Sequence, residues 1–133
     1  MARKSRANSV LILSDAKNMM WKAGIYSRLS VEDGDDTEQN SIGNQKKIGR
    51  HYLADKTDIV LADTYSDSGC TGMDFERPDF KRMIGDIRSG RINCVIVKDI
   101  SRLGRHFVMT SNYVERIFPE MGVRLICIND GYD

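Results

Sequence analysis

At 133 residues, 41% of them hydrophobic and 29% charged, the chain has the size and composition of one globular domain with a real core. A formal net charge of +1 argues against a domain that holds nucleic acid by broad electrostatics alone; such a partner needs a local basic cluster or affinity supplied elsewhere. The three cysteines, Cys70, Cys94 and Cys127, are widely spaced and suggest neither a disulfide framework nor a zinc site, and the early apolar run 10–13 is too short for a secretion signal or a membrane span, so the chain reads as cytoplasmic.

Residues 1–21 read as an N-terminal extension, flexible or loosely docked, because Arg3, Lys4 and Arg6 lead into a short apolar piece without sustained periodicity. From Lys22 the pattern alternates, and residues 22–133 read as one domain. Apolar runs at 23–29, 59–65, 94–97 and 123–128 predict short strands, and the last three are apolar enough to be buried on both faces. Between them lie three helical stripes. Ile42, Gly49, Tyr52 and Leu53 form the first, with Gln45 inside it. Phe80, Met83, Ile84 and Ile87 form the second, entered by Pro78 and closed near Gly90. Phe107, Thr110, Val114, Ile117, Phe118 and Met121 form the third, with Ser101 as its N-cap, Gly122 past its end and Pro119 in its last turns. The alternation predicts an α/β fold: a mainly parallel sheet of four to five strands with helices on both faces. The chain stops just past the fourth strand, where such a sheet calls for further cover, so a fragment of a longer protein is expected.

Open parallel sheets bind ligands beyond the carboxyl ends of their strands. Read together, the four ends offer Arg28 and Ser30; then Asp67, Ser68 and Gly69, leading to Arg77; then Lys98, Asp99, Ser101, Arg102 and Arg105; then Asn129 and Asp130. Five cations beside one hydroxyl make a site for an oxyanion, and phosphate suits guanidinium forks best. Arg102 and Arg105, three apart in the first turn of the third helix, would add to a helix N-terminus that itself favours anions. Ser30 is then a nucleophile aimed at phosphorus, with Arg28 on the non-bridging oxygens; neither His51 nor His106 is an obvious base, so the arginines carry the stabilisation. Gln45 admits two readings, a satisfied core amide or a ligand for a substrate oxygen. The acids Glu32, Asp33, Asp35, Asp36 and Glu38 lack the spacing of a calcium loop and read as a solvated stretch; no metal and no cofactor is expected.

"YSRLS" followed by "NSIGNQ", then "YSDSGCTGMDFERP", then "VIVKDISRLGR", resembles the catalytic domain of the serine site-specific recombinases, the resolvase/invertase family, over about residues 22–133. The long stretch before the first strand and the "SGCTGMDFERP" segment are more similar to the large serine recombinases of mobile elements. The resemblance implies that Ser30 forms a covalent phosphoserine link to a DNA 5′ end and frees a 3′ hydroxyl. It places Arg28, Arg77, Arg102, Arg105 and Gln45 around the scissile phosphate, with Asp67 and Ser68 as polar residues of the second-strand loop. It further implies double-stranded DNA as partner, no metal, and a homodimer that assembles into a tetramer for strand exchange. One position departs: where the resolvases carry Asp before the first arginine of the third motif, this chain has Ser101, and Asp99 is the nearest acid. That departure keeps an idle oligomerisation domain open as an alternative, beside a small-molecule phosphotransferase with a serine nucleophile.

Overall fold

The computed structural model describes residues 20–29, 41–68, 77–103 and 112–133. Strand β1, Trp21–Leu29, runs through the middle of the sheet, and its six residues from Ala23 to Arg28 are all buried. Strand β2, Ile59–Ser68, lies on one side of it; β3, Cys94–Val97, lies on the other, with β4, Arg124–Cys127, beyond. The order is β2-β1-β3-β4 and every strand pairing is parallel, as the alternating sequence pattern predicts. The expected extension, residues 1–21, lies outside the described residues except for Met20 and Trp21, and Trp21 already belongs to β1.

The period of two along each strand divides the core into two layers. Ala23, Ile25, Ile59, Cys94, Ile96 and Ile126 face helix α1, Ile42–Leu53, with Tyr52 and Leu53 packed on them. Tyr26, Tyr65, Val95, Val97, Leu125 and Cys127 face the other way, onto Phe80, Met83 and Ile87 of helix α2, Pro78–Arg88, and onto Phe118. Helix α1 starts at Ser41, whose hydroxyl accepts the Asn44 N–H at 3.0 Å. Helix α2 starts with Pro78 and is followed by Gly90 at φ +82°, the left-handed conformation glycine favours past a helix end.

Two expectations are corrected. Among the described residues β2 is an edge strand, paired to β1, and Val60 and Leu61 are exposed; its apolar run does not mean burial on both faces. Ser101 does not cap a long third helix. It sits inside a single 3₁₀ turn, Ile100–Arg102, and its hydroxyl bonds the Asp99 carboxylate instead of a helix N–H. Residues 104–111, where that helix was expected to run, lie outside the described residues. Its last part is helical: a π turn over Tyr113–Ile117 passes into a short α turn, Phe118–Glu120, and the chain leaves through Gly122 at φ +72°, the expected position.

Two features set the stage for the strand ends. The β1–β2 pairing runs through Arg28↔Asp67 to Leu29↔Ser68, whereas the β1–β3 pairing stops at Ile25↔Ile96. Past Ile25, the β3 side of β1 therefore needs partners from outside the sheet. Helix α1 also lies unusually close to β1, because a Cβ on Gly49 would come within 2.8 Å of Ile25 Cδ1.

Candidate active site

Gln45 fills the gap that the short β3 leaves. Its amide oxygen accepts the Arg28 N–H at 3.0 Å and its amide nitrogen donates to the Arg28 carbonyl at 3.0 Å, so a side chain completes the ladder that a strand would have continued. Among the described residues this buried amide is satisfied by the Arg28 backbone, which is compatible with either reading the sequence left open.

Arg28 is fully buried on the α2 side of the sheet. Its Nε donates to the Arg102 carbonyl at 3.1 Å and its Nη2 to the Ser101 carbonyl at 2.6 Å. Arg77, immediately before α2 and 3% exposed, donates from Nη1 to the next carbonyl, Leu103, at 2.7 Å, and lies over the Phe80 ring at 4.2 Å. Three consecutive carbonyls of one turn thus hold two guanidiniums from distant parts of the chain. Arg102, in that same turn, returns the contact: its Nη1 donates to the Arg28 carbonyl at 2.6 Å. The Nε of Arg77 is buried with no acceptor among the described residues, so this guanidinium keeps an unused donor.

The turn itself is held from two sides. Asp130, past β4, accepts the Ile100 N–H at 2.7 Å, and the Lys98 carbonyl accepts the Asn129 N–H at 2.7 Å. Asp99 accepts from both the Ser101 hydroxyl and Arg102 Nε, the latter at 3.3 Å. A carboxylate therefore does reach the position where the sequence departs from the resolvase pattern, two residues before Ser101.

Asp67 was expected on a loop, but it is part of β2 and buried. Its carboxylate accepts three bonds: from the Tyr26 hydroxyl at 2.8 Å, and from the backbone N–H groups of Asp79 and Phe80, both at 3.0 Å. It thereby ties the first turn of α2, and Arg77 just before it, to the central strand. Tyr26 is the residue the sequence reading passed over. It stands two places before Arg28 on the same face, and that spacing was the available signal. Burial, with Asp67 beside it, holds its phenol well above the ordinary value despite the pull of Arg77 and Arg28. Ser68 ends β2 opposite Leu29, exposed at the rim.

Of the sequence-predicted site, Arg28, Arg77 and Arg102 meet at one turn, Gln45 holds the Arg28 backbone, Asp67 lies beside Arg28 in the sheet, and Ser68 stands at the adjacent strand end. Ser30 and Arg105 lie outside the described residues. A helix N-terminus opening at Ser101 does not contribute, so among the described residues the preference for an oxyanion rests on side-chain cations. Among the described residues there is no cluster of metal-ligating side chains, and no helix long and apolar enough to cross a membrane.

A family model described as "Resolvase, N terminal domain" matches residues 23–133. Among solved structures the chain is similar to the N-terminal catalytic domain of TP901-1 integrase, with 29% identity and a TM-score of 0.71 over 83% of this chain and 78% of that one. A resolvase family site-specific recombinase from Streptococcus pneumoniae is similar at 30% identity and a TM-score of 0.65, over 85% and 75% of the two chains. The C-terminal catalytic domain of ISC1926 TnpA, an IS607-like serine recombinase, shares the fold at 20% identity and a TM-score of 0.66, over 80% and 69%. Comparison with curated proteins gave no match.

Proposed function

Because the chain belongs to the resolvase family of serine recombinases, matching its N-terminal domain over residues 23–133, we propose that it is the catalytic domain of a site-specific DNA recombinase, of the large type found in mobile elements, with Ser30 as nucleophile. In the step proposed, the Ser30 oxygen bonds to a backbone phosphorus while the bond from phosphorus to the 3′ oxygen breaks. The serine gives up its proton and the departing 3′ oxygen takes one up, leaving a 5′ phosphoserine and a 3′ hydroxyl. Rejoining reverses the step with a new 3′ end.

One observation carries this reading: Arg28, Arg77 and Arg102, from three separate segments, are buried around a single turn at the carboxyl ends of the strands. Buried guanidiniums placed before the substrate arrives are suited to the charge that builds on a phosphorane, and removing one such donor typically costs about 10²–10³ in rate. Arg105 is proposed to join them. Gln45 acts through Arg28, whose backbone it holds, Asp67 and Tyr26 act through the start of α2, which they tie to β1 just after Arg77, and Ser68 lies at the rim where a flanking phosphate would pass. Asp99 and the Ser101 hydroxyl together take the place of the single acid of the resolvases, which counts against an idle domain. Asp99→Asn is expected to slow cleavage by about 10²-fold or more, the usual worth of acid–base help, with DNA affinity unchanged.

The partner proposed is duplex DNA carrying a recombination site, bound by a homodimer that pairs into a tetramer in the cytoplasm. The test is to incubate the recombinase with such DNA, quench with denaturant, and look for protein on a 5′ end. Ser30→Ala is expected to abolish the adduct and keep specific binding; an adduct surviving in that variant removes the nucleophile. Turnover of a small phosphoester with indifference to DNA would favour the phosphotransferase instead.

A further inference from the structure

Charge is distributed very differently over the two helical faces. On the α2 side, cations meet acids. Arg82 pairs with Asp63 at 3.0 Å and Asp79 at 3.4 Å, and Arg91 pairs with Asp63 and Asp86, both at 3.3 Å. Helix α2 itself sets Lys81, Arg82 and Arg88 against Asp79 and Asp86. Helix α1 carries Lys46, Lys47, Arg50 and His51 and no acid at all. Among the described residues none of these four makes an ion pair.

Their placement is regular. With 100° per residue, Gln45 and Gly49 mark the buried side of α1, and Lys46, Arg50, Lys47 and His51 follow one another around the opposite arc. Lys47, Arg50 and His51 are exposed and Lys46 is half-buried. The stripe begins one residue from Gln45, whose amide holds the backbone of Arg28. It is a local basic cluster, starting at the candidate site, that a net charge of +1 conceals.

We propose that the exposed face of α1 is a sequence-independent DNA-contact surface, holding backbone phosphates that flank the one at Arg28 and Arg102. The inference rests on the recombinase reading and deepens it by naming where, outside the reacting centre, this domain grips its substrate. An amphipathic face with no acid costs a helix like-charge repulsion between Lys46 and Arg50, and a polyanion relieves it. Each lysine or arginine that neutralises a phosphate releases counterions, so the contribution is legible in salt dependence.

The test measures anisotropy of a fluorescent 25-base-pair duplex of random sequence with the 133-residue chain, over about 20–200 mM salt. The variant is K47Q/R50Q; the matched control, K81Q/R88Q, removes equal charge from the exposed side of α2. The expected result is weaker binding by K47Q/R50Q, with the slope of log affinity against log salt shallower by about 1 per residue, and a control close to wild type. Equal loss in both variants would mean that only net charge matters and would overturn the proposal. So would a wild-type chain that fails to bind the duplex at the lowest salt. A K47Q/R50Q chain that binds normally but unfolds at lower urea would show that the α1 cations serve the fold and not DNA, and would also overturn it. Because adduct formation is read separately, a failed α1 surface leaves Ser30 chemistry untouched, and a failed adduct leaves the salt slopes interpretable.

Discussion

Arg28 meets its partners through atoms that a shorter or differently shaped cation could not supply. Two nitrogens reach two successive carbonyls, while its own backbone is clasped by the Gln45 amide. Gln45→Leu keeps the volume but deprives the buried Arg28 N–H and carbonyl of this partner. It is expected to destabilise the fold by about 1–3 kcal/mol, checked by urea denaturation, with cleavage falling as Arg28 loosens. Gln45→Glu keeps an acceptor for the N–H but turns a carboxylate toward the carbonyl, and should cost at least as much. Arg28 and Ser30 could be paired from their alternation on one strand. What that alternation could not show is that, among the described residues, the Arg28 guanidinium donates to main-chain oxygens, because those acceptors belong to a turn more than seventy residues away.

The spacing between α1 and β1 is what brings Gln45 to Arg28. Alanine in place of a mid-helix glycine ordinarily adds about 0.5–1 kcal/mol of stability. At Gly49 the new methyl would meet Ile25 Cδ1 at 2.8 Å and both Ile25 Cγ atoms at 3.1 Å. Isoleucine is stiff at its branched carbon and cannot swing clear. Gly49→Ala is therefore expected to reverse sign and destabilise by about 1–3 kcal/mol, measurable by thermal unfolding. The stripe containing Gly49 was readable from its period, as were the second helix from Pro78 to Gly90 and the positions of all four strands. The edge position of β2 was not, because a run of Ile59, Val60 and Leu61 states its apolarity but not its neighbours. Ser101 was misread as the cap of the third helix for a related reason. Ser101 has the chemistry of a cap, yet an acid two residues away competes for its hydroxyl.

Across the whole molecule, the two described thiols lie in opposite core layers, and burial pushes each up to about 12 from an ordinary 9.0. The unfolded chain releases these protons above pH 9 while the folded chain retains them to about 12. Stability contributed this way is fully present below pH 9 and declines as pH rises through that window. Buried Tyr26 acts in the same direction. Urea midpoints are expected to fall between pH 9 and 11, and alkylating reagents at pH 8 should reach Cys94 and Cys127 only in denaturant.

The stretch between β3 and Leu103 has the outward marks of a permissive loop: it is short, lies at the rim, and carries an exposed isoleucine at Ile100. Its carbonyls nonetheless serve as the common anchorage for guanidiniums arriving from two other segments. One inserted residue there would put Arg28 and Arg77 out of step with each other at a stroke. Length, more than side-chain identity, is the property of this segment that the rest of the chain cannot renegotiate.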